Sequence, residues 1–277
     1  MIPTTETSID IRDIETSAEM HAAEQLQKEV WGIPDIEVVP LSQLVASKTA
    51  GGILVGAFDA ENLVGFVYGF VSIEHKTLVH HSHMLAVRRA YRNHKLGYRL
   101  KLAQRERALD QDIEFMSWTF DPLQSLNAYF NFRKLGVISD RYFVDFYGGD
   151  AASFLHQNGT DRLWVTWPLS SEKVRRRIDG IASAPETNES HRIVEIGNDN
   201  APRLNSLKKV LSGTMATVEI PVDISNLEKQ NGDLAHRWRD ATRTALTEAI
   251  NAKFSVVDFV RGEQHGTYVL SRNKSLD

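Results

Sequence analysis

Hydrophobic positions in the first part of the chain follow strand-like and helical spacing in turn. Ser8 to Ile14 alternates apolar and polar residues as a short strand does, and a helix capped by Thr16 or Ser17 is predicted to run to about Val30. Pro40 is placed to begin a second helix. Two β-rich runs, GGILVGAFD and LVGFVYGFVSIE, flank a short turn and predict a hairpin. The strand TLVHHSHMLAV follows, so these elements predict two helices and the first strands of a sheet.

The spacing becomes helical again after this strand. A short basic turn, Arg88 to Lys95, precedes apolar residues that recur at helical spacing from Leu96. The next predicted elements are a strand at Phe115 to Phe120, a helix at Leu126 to Leu135 that Gly136 ends, and strands at Val137 to Tyr147 and Asp161 to Pro168. Helices and strands alternate in this region, which predicts an α/β (α+β) fold class.

A polar, proline-containing segment at about 181–191 is typical of a linker. Beyond it the chain predicts several strands and one long helix, from about Asp233 to Ala252. We therefore divide the chain into a larger domain at 1–170 and a smaller C-terminal α/β unit at 171–277.

Composition narrows the function classes. The 277 residues include 32 Lys or Arg, 36 Asp or Glu and no cysteine, and the net charge is −4. Without cysteine there are no disulfides, no thiolate catalysis and no thiolate metal sites. The slight acidity argues against nucleic-acid binding, and no segment approaches the roughly 18 apolar residues of a membrane span. We expect a cytoplasmic protein with no nucleic-acid or membrane partner.

The basic residues are concentrated at one place. Between Arg88 and Arg107 there are eight Lys or Arg and a single acidic residue, Glu106. They surround the predicted start of a helix, where backbone N–H groups lack partners and carry the positive end of the helix dipole. A phosphate group is the expected ligand, and a solvated basic surface is the alternative.

Two stretches carry a resemblance to a known family. LAVRRAYRNHKLGYRL resembles the acyl-CoA-binding motif of the GNAT superfamily of N-acyltransferases, in which a strand is followed by Arg or Gln, two residues, Gly, one residue, Gly or Ala, and a helix. Here Arg92 to Gly97 match. NAYFNFRKLG resembles the later motif of that family, and with FYGG and DRLWV it is similar to a bacterial subgroup that has a C-terminal extension. The resemblance implies a central mixed sheet flanked by helices.

The resemblance also implies how acyl-CoA is bound. It assigns the pantetheine arm to the backbone of Leu85, Ala86 and Val87, and the pyrophosphate to the N–H groups of Asn93, His94, Lys95, Leu96, Gly97 and Tyr98. Arg92 and Lys95 would add positive charge. Lys95 stands where the family has a glycine, and we expect it to use a helical φ. Asn127 would hydrogen-bond the cofactor arm or cap its own helix.

Histidines on the strand before the basic turn are candidate bases. Strand alternation places His81 and His83 on one side of the sheet and His80 with Ser82 on the other. His83 is the best candidate to deprotonate an incoming ammonium, because the ordinary pKa of histidine is near neutrality. A structural strand histidine is the alternative. A His-x-His metal site would need a third ligand, so we predict no metal.

The general acid is less clear from the sequence. Phe132 stands where many family members have a tyrosine that protonates the leaving thiolate. Tyr129, three residues earlier, is the candidate replacement, and a packed aromatic is the alternative. Asp121 would orient a histidine or bind the substrate amine, or it would cap a turn. Arg239 and Arg243 would bind a carboxylate or form a solvated helix face.

These features predict an N-acyltransferase. It would move an acyl group, acetyl or succinyl, from acyl-CoA to the amine of a small molecule such as an amino acid, by direct attack on the thioester. The alternative is an acyl-CoA-binding sensor or partner module with a GNAT fold and no turnover. Either protein is expected to be a monomer or a homodimer.

Overall fold

The chain passes from a first compact unit into a second one within a single strand, between Ser117 and Trp118. The computed structural model describes residues 9–148, 159–181, 185, 191–207 and 212–273. Most of the linker predicted at about 181–191 lies outside these residues. The boundary between the compact units differs from the predicted division near residue 170, because the strands that follow Trp118 belong to the sheet of the second unit.

The first unit is a mixed sheet with three helices. Its strands are β1 (Asp10–Asp13), β2 (Ile53–Asp59), β3 (Asn62–Glu74), β4 (Thr77–Val87) and β5 (Phe115–Phe120), and its helices are α1 (Ser17–Trp31), α2 (Leu41–Thr49) and α3 (Leu96–Leu109). Strands β1 to β4 are antiparallel neighbours in chain order, and β5 joins β4 in parallel. Helix α3 therefore connects two parallel strands, as in a βαβ unit.

Local sequence sets the ends of α1. The Thr16 side chain accepts a hydrogen bond from the Glu19 N–H, and the Glu19 carboxylate accepts one from the Thr16 N–H, which together form a capping box. Gly32 takes a left-handed φ of 63° and ends the helix. The predicted helix is thus confirmed to within one residue of its end.

Helices cover both faces of the first sheet. On one face α1 and α2 bury an apolar cluster, which includes Met20, Leu26, Leu44, Leu54, Phe58 and Phe66. On the other face Gly65 makes room for α3, since a Cβ added there would lie 3.3 Å from the Leu100 side chain. Each fully buried leucine or phenylalanine contributes about 1.5–3 kcal/mol. This burial fixes where α3, and so the basic turn before it, lies on the sheet.

Among the described residues, the second unit contains the other seven strands. Its elements are α4 (Ser125–Ala128) with a wider π-helical segment (Tyr129–Leu135), β6 (Ile138–Phe143), β7 (Arg162–Pro168), α5 (Glu172–Ile178), β8 (His191–Ile196), β9 (Pro202–Leu204), β10 (Met215–Pro221), α6 (Ile224–Gln230), α7 (Gly232–Asn251), β11 (Ser255–Arg261) and β12 (His265–Ser271). The strand order is β7-β6-β11-β12-β10-β8-β9, with β8 and β10 parallel. The predicted helix from Leu126 to Leu135 is therefore only partly α-helical.

The predicted α/β (α+β) class, with a central mixed sheet flanked by helices, is confirmed. The described residues form twelve strands and seven α-helices. None of the helices in the described ranges has both the length and the apolar character that a membrane span requires.

A buried ion pair anchors α7 within the second unit. Arg239 donates to both carboxylate oxygens of Asp121, at 2.7 and 2.9 Å, and only 4% of the Arg239 side chain is exposed. Arg243, one turn later, donates to both oxygens of Asp161 at 2.8 Å. The two arginines therefore neither form a solvated face nor point to a bound carboxylate, and both predicted alternatives are wrong for them.

Replacing Asp121 should cost more stability than its partial exposure suggests. In Asp121→Ala the Arg239 guanidinium stays buried without its carboxylate, and breaking a buried pair from one side costs about 3–5 kcal/mol. Denaturant unfolding followed by circular dichroism measures the change. Asp10→Ala, which removes the partner of an exposed pair with Arg12 at 3.6 Å, should leave the unfolding free energy unchanged. Equal effects of the two variants would contradict the anchoring role of Asp121.

Candidate functional site

The turn between β4 and α3 has a defined backbone. A 3-10 segment, Arg89–His94, follows β4, and Lys95 takes φ 55° and ψ 20° before α3 begins at Leu96. The expectation of a helical φ at Lys95 is wrong, because the chain needs a left-handed residue to turn from the 3-10 segment into the helix. That conformation costs a residue with a side chain about 1–2 kcal/mol. The turn therefore keeps a strained residue where glycine would be relaxed.

Backbone N–H groups at the start of α3 face the end of this turn. The Tyr98 and Arg99 N–H groups already donate to the Lys95 carbonyl, at 3.0 and 3.1 Å. The Tyr98 N–H is therefore bonded within the helix. It is not available to bind an anion, so the prediction that included this amide is wrong. The amides of Leu96 and Gly97 precede these helical hydrogen bonds, where a helix favours an anion.

Gly97 is not required by the packing of the helix. A Cβ added at Gly97 would lie 3.5 Å from the Leu85 side chain, which is ordinary van der Waals contact, and the φ of Gly97 is not left-handed. The fold would accept alanine here. A glycine that the fold does not need leaves space for a group that approaches the backbone closely.

Fewer cations are available at the turn than the sequence suggests. The Lys101 side-chain nitrogen is buried and donates to Ser82 Oγ at 2.6 Å, and burial lowers the pKa of Lys101 well below its ordinary value. Arg88 pairs with Glu29 at 3.1 Å, and Arg107 pairs with Asp13. The exposed basic side chains that remain at the turn are those of Arg89, Arg92 and Lys95.

The end of β4 is paired along one edge. Leu85, Ala86 and Val87 lie opposite Val67, Phe66 and Gly65 of β3. In the described residues, parallel pairing of β4 with β5 is confined to His80 opposite Met116 and His81 opposite Ser117. Along the edge that faces β5, the C-terminal end of β4 is therefore not paired with β5. An unpaired strand edge of this kind can hydrogen-bond an extended ligand.

His80 and Ser82 lie on one face of the sheet, and His81 and His83 lie on the other, as predicted. His80 and Ser82 point to α3, where Gln104 Nε2 lies 3.1 Å from His80 Nε2 and Gln104 Oε1 accepts from Ser82. Burial, with the neighbouring Lys101 as a further cause, lowers the pKa of His80 to about 3. His80 is thus a neutral structural residue.

His83 lies on the opposite, more open face. Its side chain is exposed, and its ring centroid lies 6.0 Å from Tyr68 and 5.8 Å from Phe70. Partial desolvation by these surroundings lowers the pKa of His83 below its ordinary value. The imidazole is therefore neutral at pH 7 and able to accept a proton.

His81 has partners that the sequence did not reveal. Its Nδ1 lies 3.0 Å from Ser117 Oγ, and the same hydroxyl donates to the carboxylate of Glu74. Glu74 ends β3 and Ser117 lies on β5, so these residues are distant in the sequence and only the strand register brings them to His81. A strand alternation pattern carries no signal for such a contact.

The candidate residues of the second unit differ in their surroundings. Asn127 is exposed on α4, so it does not bond within the core. Tyr129 is half-buried, with the Lys134 ammonium 5.5 Å from its ring centroid. Phe132 is fully buried between the rings of Phe120 and Tyr268, at 6.2 and 5.8 Å.

Asp121 does not have the side chain freedom of a catalytic group. Both of its oxygens bond Arg239, and Oδ1 also accepts from the Leu123 N–H at 3.0 Å. The structure therefore gives Asp121 a structural role in place of the predicted catalytic one. The alternative of a turn cap was the better prediction.

Several solved structures resemble this chain. The ribosomal-protein-S18-alanine N-acetyltransferase from Escherichia coli is 13% identical, and the match covers 59% of this chain and 96% of that chain with a TM-score of 0.48. The aminoglycoside 6'-N-acetyltransferase from Enterococcus faecium is 15% identical, with 59% and 98% covered and a TM-score of 0.46. The PaiA N-acetyltransferase from Thermoplasma acidophilum, solved in complex with coenzyme A, is 15% identical, with 58% and 99% covered and a TM-score of 0.43.

A comparison with curated protein sequences returns no match. The acetyltransferase (GNAT) family model, in contrast, matches residues 12–136, a range that begins in β1 and ends at Gly136 after the π-helical segment. This range contains both stretches that carry the sequence resemblance. Residues 12–136 of this chain are therefore similar to the GNAT acetyltransferase family.

Proposed function

We propose that this protein is an acyl-CoA-dependent N-acyltransferase that transfers an acetyl or succinyl group to the amine of a small molecule such as an amino acid. The observation that carries the proposal is the turn between β4 and α3. It combines a strained left-handed Lys95, a glycine that the fold does not need and three exposed cations at the start of a helix.

The residues of the first unit fit the parts of acyl-CoA. The amides of Leu96 and Gly97 suit the pyrophosphate, with charge from Arg92 and Lys95. The adjacent amides of Asn93 and His94 complete the proposed loop. The edge of β4 at Leu85 to Val87, where β5 does not pair with it, suits the amide groups of the pantetheine arm, and Asn127 remains a proposed contact to that arm. The Val87 carbonyl itself accepts from Arg92 Nε at 3.3 Å.

The bound acyl-CoA supplies the thioester, whose carbonyl carbon the amine attacks so that a C–N bond forms and the C–S bond breaks. His83 takes the proton of the incoming ammonium, because only the neutral amine has a lone pair for the attack. The chain contributes chiefly by orienting the reactants and placing charge. Phe132 has no proton to give, so Tyr129 is the proposed donor to the leaving thiolate.

Release of free thiol tests the proposal directly. Acetyl-CoA and succinyl-CoA are each incubated with a panel of amino acids, thiol is measured with a colorimetric reagent, and the product is identified by mass spectrometry. Amine-dependent thiol release is expected with one donor. Tight binding of both donors without release from any amine would contradict the proposal and indicate a sensor.

Substitution of Gly97 should weaken CoA binding without harming the fold. In Gly97→Ala the added methyl group occupies the space proposed for the pyrophosphate, so we expect at least about a tenfold loss of CoA affinity, since one lost interaction of 1.4 kcal/mol is tenfold. Isothermal titration calorimetry measures the affinity, and thermal unfolding reports the fold.

Gly232→Ala is the matched control for this substitution. Gly232 lies in the first turn of α7 with no atom within 4 Å of an added Cβ. It should leave both CoA affinity and folding intact, apart from the small gain that alanine gives a helix. Unchanged CoA affinity in Gly97→Ala would refute the assignment of the turn.

Loss of His83 should give a pH-dependent defect. The lowered pKa keeps His83 neutral near pH 7, so His83→Ala should lose about 10²–10⁴-fold in kcat/KM there. The wild-type rate should fall as the pH drops through this lowered pKa and His83 becomes protonated. The defect should shrink above about pH 8–10, where the amine arrives without its proton.

Profiles of kcat/KM against pH for wild type, His83→Ala and His21→Ala measure this. His21 is an exposed histidine on α1 that bonds Glu24 at 2.6 Å, and its loss should change nothing. A defect of His83→Ala that is constant at every pH would exclude His83 as the base.

Replacement of the Tyr129 hydroxyl tests the proposed proton donor. Tyr129→Phe should lower kcat by about tenfold or more while the KM for acyl-CoA stays constant, because only the departure of the thiolate is affected. Tyr98→Phe, which removes a tyrosine hydroxyl on α3, is the control, and its kcat should equal that of wild type. An unchanged kcat in Tyr129→Phe would show that water protonates the thiolate.

A further inference from the structure

Three side chains from three strands of the first unit form one hydrogen-bonded chain. The Ser117 hydroxyl is fully buried on β5 and bonds both the Glu74 carboxylate, from β3, and Nδ1 of His81, from β4. Each bond lies on the face of the sheet that also carries His83. The middle residue has no contact with water, so its hydrogen bonds are determined by these two neighbours.

Proton counting assigns the direction of both bonds. An ionised carboxylate only accepts, and a serine hydroxyl has one proton, so Ser117 donates to Glu74 and must accept from His81. Nδ1 of His81 therefore carries the hydrogen, and the lone pair of the neutral ring is on Nε2. The tautomer of His81 is set by Ser117, and the orientation of Ser117 is set by Glu74.

His81 and His83 form a pair on this face. Their ring centroids are 6.5 Å apart, and both rings pack on Phe70, at 5.3 and 5.8 Å. The titratable groups near His81 include Glu74 through Ser117, His83 and Tyr68 on the same face, and His80 and the Lys101 amine on the other. Burial favours the neutral forms of His80 and Lys101, so Glu74 is the group that favours a positive charge on His81.

We propose that Glu74 and Ser117 are positioning residues that hold His81 as a second base beside His83, with Nε2 as the atom that accepts the proton. The inference rests on the proposed transferase activity and deepens it. His83 takes the first proton of the substrate ammonium, which leaves the amine neutral for attack. His81 Nε2 takes the second proton, which the nitrogen loses once the C–N bond has formed, and the imidazolium so formed keeps its Nδ1–H bond to Ser117. His81 returns this proton to solvent after turnover.

Two-bond ¹H–¹⁵N correlation spectra of protein labelled at histidine nitrogen test the chain without any turnover. Wild type should show His81 as the Nδ1–H tautomer. Ser117→Ala should shift His81 toward the Nε2–H tautomer, and Ser117→Thr, which keeps a hydroxyl, should restore Nδ1–H. A wild-type His81 that is already Nε2–H would overturn the proposal.

Kinetics then test the role of the chain. Ser117→Ala and Glu74→Gln should lower kcat about tenfold with an unchanged KM for acyl-CoA, and Ser117→Thr should recover most of the loss. Ser72→Ala is the matched control, since the Ser72 hydroxyl on β3 donates only to a backbone carbonyl, that of Val79, at 3.2 Å. Its kcat should equal that of wild type.

Two failures are distinguishable. If no amine yields thiol from wild type, the transferase proposal falls and the role of His81 as a base falls with it. If wild type is active but Ser117→Ala matches Ser72→Ala in kcat, only the role of His81 is refuted.

Discussion

The short parallel contact between β4 and β5 is the constraint on which the proposed site depends. Two residue pairs hold the strands together, His80 with Met116 and His81 with Ser117. This register places a buried serine against one histidine and leaves the rest of the β4 edge without that neighbour. One length of pairing thus defines both the face proposed to accept protons and the strand segment proposed for the pantetheine arm. A longer contact would have covered Leu85 to Val87 with backbone hydrogen bonds.

Charge at the basic turn is divided between structure and binding. Arg88 and Arg107 are paired with Glu29 and Asp13, which lie elsewhere in the first unit, and the Lys101 amine is buried beneath β4. Of the eight cations of the sequence, these three are bonded to other parts of the first unit. The exposed remainder lies next to the helix start, where the backbone itself favours an anion. This division explains why a protein with a net charge of −4 still presents a local positive site.

Features that depend on local spacing were predictable from the sequence. The helix that ends at Gly32, the hairpin, the β4–α3 turn and the separation of His80 from His83 across the sheet all follow from short-range patterns. Features that depend on register or on distant partners were not. Glu74 and Ser117 meet His81 only through the pairing of three strands, and the partner of Arg239 lies 118 positions away. The burial of Lys101 was hidden because a charge count treats every lysine as solvated.

The strand pairing of β6 has a consequence for how this protein can be made. The family match ends at residue 136, yet β6, which follows at once, pairs on one side with β7 and on the other with β11, where Val256 lies opposite Ser139. During synthesis the second sheet stays incomplete until nearly the whole chain has left the ribosome. A product cut short near residue 170 would contain every matched residue but would present an uncovered β6 edge, which invites association with other chains. The C-terminal segment is thus needed to complete the strand pairing that β6 and β7 begin.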